Sequence, residues 1–92
     1  MAIPVKFLSA FQEQTQGKTT FFVEEGQLSQ IFGELQKEIP GLKEKLWDKE
    51  GKIHPAYNVI LIRGDTQQLC HDLNSKVKEG DELIIIPIIS GG

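Results

Sequence analysis

Residues 78–92 read KEGDELIIIPIISGG, and they decide both the fold and the function that the sequence predicts. The turn signal at 79–81 precedes an apolar run at 83–86, which is typical of a strand with two apolar faces. Pro87 lacks a backbone donor, so it predicts where this strand ends. Residues 88–92 are then expected to form an extended tail that ends in two glycines.

The N-terminal part of the chain predicts a β-hairpin. Apolar residues occupy alternate positions of residues 3–7, as in a half-buried strand, and residues 19–23 are mostly β-branched or aromatic. The polar stretch at 12–17 is the loop expected between them. These two strands are therefore predicted to pair with each other.

An amphipathic helix is predicted after the hairpin, following a break at Gly26. Its apolar side chains recur at intervals of three and four residues, as one face of a helix requires: Leu28, Ile31, Phe32, Leu35 and Ile39. Pro40 and Gly41 are expected to end this helix, and residues 42–47 add a further helical turn against the core. Gly33 lies inside the helix, where a glycine costs up to about 1 kcal/mol relative to Ala. Close backbone packing is one reason for a glycine there.

A second hairpin and the last strand complete the predicted sheet. Residues 57–62 form a strand, the Gly64-Asp65 dipeptide is typical of a two-residue hairpin loop, and residues 66–69 form a short return strand. Since a helix that follows a hairpin crosses the sheet, the economical closure places the last strand beside the first, in parallel. The predicted fold class is therefore α+β: a β-grasp (ubiquitin-like) domain with a mixed four- to five-stranded sheet packed on one main helix.

Composition and charge argue against several classes of protein. The 92 residues suit a single domain, which we expect to span 1–87 ahead of the tail at 88–92. The chain has 13 Asp and Glu residues and 10 Lys and Arg residues. The resulting formal net charge of −3 argues against binding to nucleic acid or to an anionic membrane. Cys70 is the only cysteine, and no signal peptide is recognised. A reducing cytoplasm is the expected location.

No catalytic or metal site is expected within the domain. Cys70 and His71 resemble a nucleophile beside a base, but adjacent strand residues point to opposite faces. A partly buried, unreactive thiol is the prediction. His54 and His71 lack the spacing of metal ligands. The acidic pairs at 24–25 and 81–82 flank turns and are expected to be solvated.

Both faces of the central strands are apolar, which a sheet covered by one helix does not need. In the last strand Leu83 and Ile85 oppose Ile84 and Ile86, and in the middle strand Val59 and Leu61 oppose Ile60 and Ile62. One of these faces is therefore expected to carry an exposed patch that binds a partner. The alternatives are that the segment around Trp47 covers that face, or that the protein dimerises.

The tail combines two glycines with two preceding isoleucines. Gly91 and Gly92 have no side chains, so an extended peptide that ends in them can pass through a narrow channel into another protein's active site. Ile88 and Ile89 are more apolar than a merely solvated tail requires. The group delivered would be the α-carboxylate of Gly92.

The turn, strand, proline and diglycine tail together resemble the MoaD/ThiS family of ubiquitin-like sulfur carriers. The resemblance is carried by residues 78–87, the spacer at 88–90 and the glycine pair at 91–92, and it extends over nearly the whole chain. The insertion at 41–55 is similar to the MoaD branch, including its cysteine-biosynthesis relatives. The spacer is bulkier and more apolar than is usual in the family, and residues 66–69 depart from its acidic return strand.

The resemblance implies a protein substrate rather than an enzyme. An adenylyltransferase of the ubiquitin-activating type, using its own ATP and Mg²⁺, would adenylate the Gly92 carboxylate. Sulfur from a sulfurtransferase or cysteine desulfurase would displace AMP, and the resulting thiocarboxylate would donate that sulfur to an acceptor held by a synthase subunit. By the same resemblance Gly91 and Ser90 thread the tail, and the chain itself binds no cofactor. The implied docking residues are Ile84, Ile86, Pro87, Ile88 and Ile89.

Two other functions share these features. Attack of a lysine amine on the activated Gly92 would make the chain a ubiquitin-like modifier, and an inert tail would leave a β-grasp binding module. Within the carrier class, molybdopterin synthesis and cysteine or methionine synthesis are both compatible with the sequence, because the acceptor is chosen by the partner enzyme.

Overall fold

The computed structural model describes residues 2–7, 19–47, 50–70 and 72–88. The strands are β1 (Ile3–Phe7), β2 (Thr20–Val23), β3 (Gly26–Gln27), β4 (Tyr57–Arg63), β5 (Thr66–Cys70), β6 (Lys76–Val77) and β7 (Glu82–Pro87), and the helices are α1 (Leu28–Gln36) and α2 (Leu42–Leu46). The predicted loop at 12–17, His71 and tail residues 89–92 lie outside the described residues.

The last strand, β7, lies at the centre of the sheet, between β1 and β4. Five strands follow the order β2-β1-β7-β4-β5. β7 pairs in parallel with β1 and antiparallel with β4, while β2 and β5 complete the two antiparallel hairpins. The predicted α+β fold of the β-grasp type is confirmed, with five strands. A separate pair, β3 with β6, was not predicted because two-residue strands are too short to carry a hydrophobic pattern.

The core lies between one face of this sheet and the two helices. Alternate side chains of β1, β4 and β7 meet the apolar stripe of α1 there, and burying one such aliphatic side chain contributes roughly 1.5–3 kcal/mol. Trp47 packs against the same buried cluster. The alternative that the Trp47 segment covers the opposite face of the sheet is therefore wrong. The largest fully buried residues are Phe32, Ile3, Leu28, Ile31, Leu35, Ile39, Leu42, Leu46, Leu83, Ile85 and Val5.

Helix α1 ends at Gln36, earlier than the predicted stop at Pro40. The backbone N–H groups of Glu38 and Ile39 both donate to the carbonyl of Leu35, at 2.9 and 2.8 Å. The chain thus tightens into a turn that still directs Ile39 into the core, where it is fully buried. The helical spacing predicted the burial of Ile39 correctly and the end of the helix wrongly.

Gly33 faces open space on α1. A Cβ atom built on Gly33 would meet no heavy atom within 4 Å, so close backbone packing is not the reason for this glycine. By contrast, Gly41 immediately precedes α2 and has a φ of 85°, a left-handed conformation in which a side chain would be strained.

Replacing Gly33 with Ala should stabilise the fold. Alanine has the higher helix propensity and meets no steric conflict, so the free energy of unfolding should rise by about 0.5–1 kcal/mol. Urea denaturation followed by circular dichroism measures the change. Gly41→Ala is the matched control and should lower the midpoint, since its φ is positive. A lower midpoint for Gly33→Ala would contradict the open environment of this position.

Candidate functional site

The face of the main sheet that points away from the helices is apolar along its centre. Strand register places Ile84 opposite Ile60, and Ile60 opposite Leu69. Four of the five isoleucines of β4 and β7 are partly exposed, all except the buried Ile85, and Leu69 is 51% exposed. These side chains form the outer patch: Ile60, Ile62, Leu69, Ile84 and Ile86. The predicted apolar outer face is therefore present.

Leu69 belongs to the outer patch although the sequence analysis did not single it out. The two-residue loop at Gly64-Asp65 pairs Arg63 with Thr66, and counting back from that pair brings Leu69 opposite Ile60. Hairpin register is thus the signal that identifies Leu69, since an isolated leucine in a polar strand carries no pattern of its own.

Strand β7 leads from the outer patch to the start of the tail. As predicted from its missing backbone donor, Pro87 is the last residue of this strand. It lies opposite Tyr57. The N–H of Ile88 then donates to the carbonyl of Ala56 at 2.8 Å, and the Ile88 side chain is 45% exposed. The position where the chain leaves the domain is therefore fixed by a hydrogen bond. The expected roles of Ile89, Ser90, Gly91 and Gly92 concern residues outside the described part and stay predictions.

An ion pair between the exposed Arg63 and the buried Asp81 holds the turn that begins β7. The Arg63 guanidinium donates to both carboxylate oxygens of Asp81, at 2.9 and 2.7 Å, and the Lys78 N–H donates to the same carboxylate at 2.8 Å. Asp81 is 3% exposed. The prediction that Asp81 is solvated was wrong, because a turn signal does not reveal a cationic partner that lies on another strand. Glu82 points to the outer face, where it contacts Lys6 at 3.4 Å.

Charge pairing lowers the pKa of Asp81. The Arg63 hydrogen bonds are the main cause, and the Lys78 N–H adds to them, while burial opposes the shift. The carboxylate form is therefore favoured in the folded protein. This pair ties the end of β4 to the start of β7 and so positions the strand that carries Ile84 and Ile86 of the outer patch.

Cys70 and His54 show no arrangement for catalysis or metal binding. Cys70 is buried, and burial raises the pKa of its thiol, which disfavours the reactive thiolate. The Nδ1 atom of His54 accepts a hydrogen bond from the Ala56 N–H at 3.0 Å. Across the described ranges, no group of three His, Cys, Asp or Glu residues could hold a metal ion. Within the same ranges, no helix is long and apolar enough to span a bilayer.

Comparison with known proteins gives a consistent family assignment. A model of the ThiS family matches residues 5–92. The molybdopterin synthase sulfur carrier subunit of Anopheles gambiae is 32% identical, in an alignment that covers 82% of this chain and 90% of that protein.

Solved structures of two complexes contain chains of similar fold and 25% identity. One is the BexX/CysO complex of Amycolatopsis orientalis, with a TM-score of 0.80 over 99% of this chain and 100% of that chain. The other is the complex of subunits 1 and 2 of the molybdopterin-converting factor of Helicobacter pylori, with a TM-score of 0.62 over 100% of both chains. Both similarities extend over essentially the whole domain.

Acid should destabilise the protein through Asp81. Because the folded-state pKa is lower than the unfolded value near 3.8, the stabilisation is present above about pH 4 and is lost as the pH falls through the folded pKa. Urea denaturation midpoints measured from pH 7 to pH 2 should fall as the pH drops below about 4. In Asp81→Asn the midpoint should be lower at pH 7, and its decrease on acidification should be smaller. Equal pH profiles for the two proteins would contradict a role for this carboxylate.

Proposed function

The chain belongs to the ThiS family and is a sulfur carrier of the MoaD/ThiS type, and we propose that Gly92 is the residue on which it carries sulfur. The observation that supports this most directly is continuity. β7 is a central strand that contributes Ile84 and Ile86 to the outer patch and runs through Pro87 into the segment that ends in Gly92. A partner that docks on the patch would therefore have the start of the tail beside it.

The chemistry requires activation of the Gly92 carboxylate. A free carboxylate does not react with a sulfur nucleophile at neutral pH, because its leaving group would be oxide. Transfer of AMP from ATP to the carboxylate releases pyrophosphate and creates a mixed anhydride with a good leaving group. Sulfide then displaces AMP and forms the thiocarboxylate. A persulfide donor displaces AMP in the same way and needs a further thiol to release its outer sulfur onto the chain.

On this proposal the chain is a substrate and carrier rather than an enzyme. The reacting group is its own carboxylate, and the nucleotide with its Mg²⁺ is bound by the activating partner. The diglycine pair Gly91-Gly92 gives clearance in a narrow channel, since neither residue carries a side chain. Ser90 belongs to the same part of the tail that enters the channel. The residues that contact the partner are Ile84, Ile86, Pro87, Ile88 and Ile89.

We expect three kinds of partner in turn: an adenylyltransferase of the ubiquitin-activating type, a sulfurtransferase or cysteine desulfurase, and a sulfur-accepting synthase subunit. The last is supported by the two relatives that were solved in complexes, with BexX and with subunit 2 of a molybdopterin-converting factor. The acceptor is then a molybdopterin precursor or an amino-acid precursor. The Anopheles relative favours the first of these and the CysO complex favours the second.

Incubation with ATP, sulfide and a cognate activating enzyme should exchange one oxygen of Gly92 for sulfur. Intact-protein mass spectrometry measures the exchange, and fragmentation places it at the last residue. The matched control is the same chain without Gly92, which should keep its mass. A chain that stays a free carboxylate with several activating enzymes would overturn the carrier proposal. Lysine-linked adducts that require Gly92 would instead identify a modifier.

Ile86→Asp should separate docking from chemistry. This side chain lies on the outer face beside the exit of the tail, so a charge there should weaken binding to the activating enzyme at least tenfold, because burying an unpaired carboxylate is costly. Isothermal titration calorimetry measures the affinity. The control is Gln68→Asp, an exposed position of β5 whose side chain points away from the outer face, and it should bind like the wild type. If both variants bind equally well, the outer patch is not the docking surface. If Ile86→Asp abolishes partner binding while deletion of Gly91-Gly92 leaves the biological activity of the chain intact, the chain is a binding module.

A further inference from the structure

A groove of about 780 Å³ runs between the edge strand β2 and helix α1. Val23, Ile31 and Leu35 supply apolar atoms to its floor, and all three belong to the buried core. Gly33 also lines the groove, and a Cβ atom built on it would meet no heavy atom within 4 Å. The absence of a side chain at this position keeps the groove open. An open groove explains a glycine in the middle of a helix, where glycine lowers stability.

Within the part of the chain that the structure describes, no backbone group pairs with the edge of β2 that faces away from β1. The Phe7 N–H donates to the Thr19 carbonyl at 2.8 Å, which fixes the alternation of paired and unpaired residues along the hairpin. Phe7 and Thr19 form a hydrogen-bonded pair, so Phe22, which lies opposite Pro4, falls in a non-hydrogen-bonded pair. The N–H and C=O of Phe22 therefore point away from β1, toward the free edge of the sheet. Such an edge can pair with an added strand.

The rim of the groove is acidic. Among the described residues that line it, one cation, Lys37, stands against four glutamates, and it already contacts Glu34 at 3.6 Å. The glutamates come from both sides of the groove: Glu24, Glu25, Glu34 and Glu38. Charge complementarity therefore favours a cationic occupant.

We propose that this groove binds an extended, lysine- or arginine-rich segment of a partner protein, which adds to β2 as a further strand. Backbone pairing with Thr20 and Phe22, the two residues of β2 in non-hydrogen-bonded pairs with β1, would supply affinity, and the four glutamates would select basic side chains. A second copy of this chain is a poor occupant, because its own β2 edge carries the same glutamates and like charges repel.

The groove is separate from the exit of the tail. In the parallel pairing of β1 with β7, Phe7 lies opposite Ile85, so the tail leaves beyond the Phe7 end of β1. The groove lies toward the other end, where Ile3 pairs with Val23. The inference thus goes beyond the proposed sulfur-carrier function, since both surfaces could be occupied at once and each can be tested without the other.

The probe is the peptide acetyl-Lys-Val-Lys-Val-Lys-Val-amide, titrated into ¹⁵N-labelled protein and followed by the amide shifts of Phe22 and Glu24. These amides should shift with a salt-dependent affinity, and the Glu-Val version of the peptide should not bind. The double variant Glu34→Lys/Glu38→Lys should weaken binding about tenfold or more. The control, Glu44→Lys, changes an exposed helical glutamate outside the groove and should leave the affinity unchanged.

Two N-methylated peptides test the added strand itself. Methylation of the three lysine amides or of the three valine amides removes alternate donors, and only one set can face β2. One isomer should therefore lose binding while the other retains it. Equal affinity of the two isomers, affinity independent of peptide charge, or shifts centred on the outer patch would each overturn the proposal. Thermal unfolding of each variant confirms that it is folded, and none of these measurements depends on sulfur transfer.

Discussion

The register of β7 between β1 and β4 is the constraint on which the rest of the structure depends. Hydrophobicity alone does not select this register, because the apolar run of β7 would satisfy the core on either face. Asp81 does select it. A one-residue slip would move this carboxylate to the outer face and away from Arg63 and the Lys78 N–H. The same slip would turn Glu82 into the core and away from Lys6. Two ion pairs on opposite faces therefore discriminate between registers that the apolar side chains do not distinguish.

Because the ion pairs select the register of β7, the fold does not require the outer face to be apolar. Leu83 and Ile85 are fully buried by the helices, whereas Ile84 and Ile86 are held at the surface by the same strand. Because polar side chains could occupy those positions at no cost to the core, their apolar character points to recognition. The strand that closes the sheet is thus also the one that presents the tail, and the proposed docking and the fold share one element.

The sequence predicted those parts of the fold that repeat along a strand or a helix. The five strands of the main sheet and the two-residue turn at Gly64-Asp65 followed from local patterns, and the parallel closure followed from the order of the elements. The end of α1 did not, since Ile39 continues the helical spacing while its backbone has already tightened into a turn. The Arg63–Asp81 pair and the β2–α1 groove join residues that lie far apart in the chain, and no spacing rule connects them. Leu69 stands between these cases, because its place in the outer patch needs the hairpin register as well as the local pattern.

Affinity for the outer patch is limited by its own geometry. Its four isoleucines are already partly covered by neighbouring side chains, so a partner removes less apolar area from water than their size suggests, and association also costs translational freedom. On the proposed function, the chain passes from an activating enzyme to a synthase and must dissociate from each. A tight interface would slow that exchange, because affinity differences fall mostly on the dissociation rate. A small apolar patch that is already partly covered by neighbouring side chains therefore suits a protein that binds several partners in turn. Specificity can then reside in the tail and its channel, where a misfit prevents chemistry without requiring strong binding.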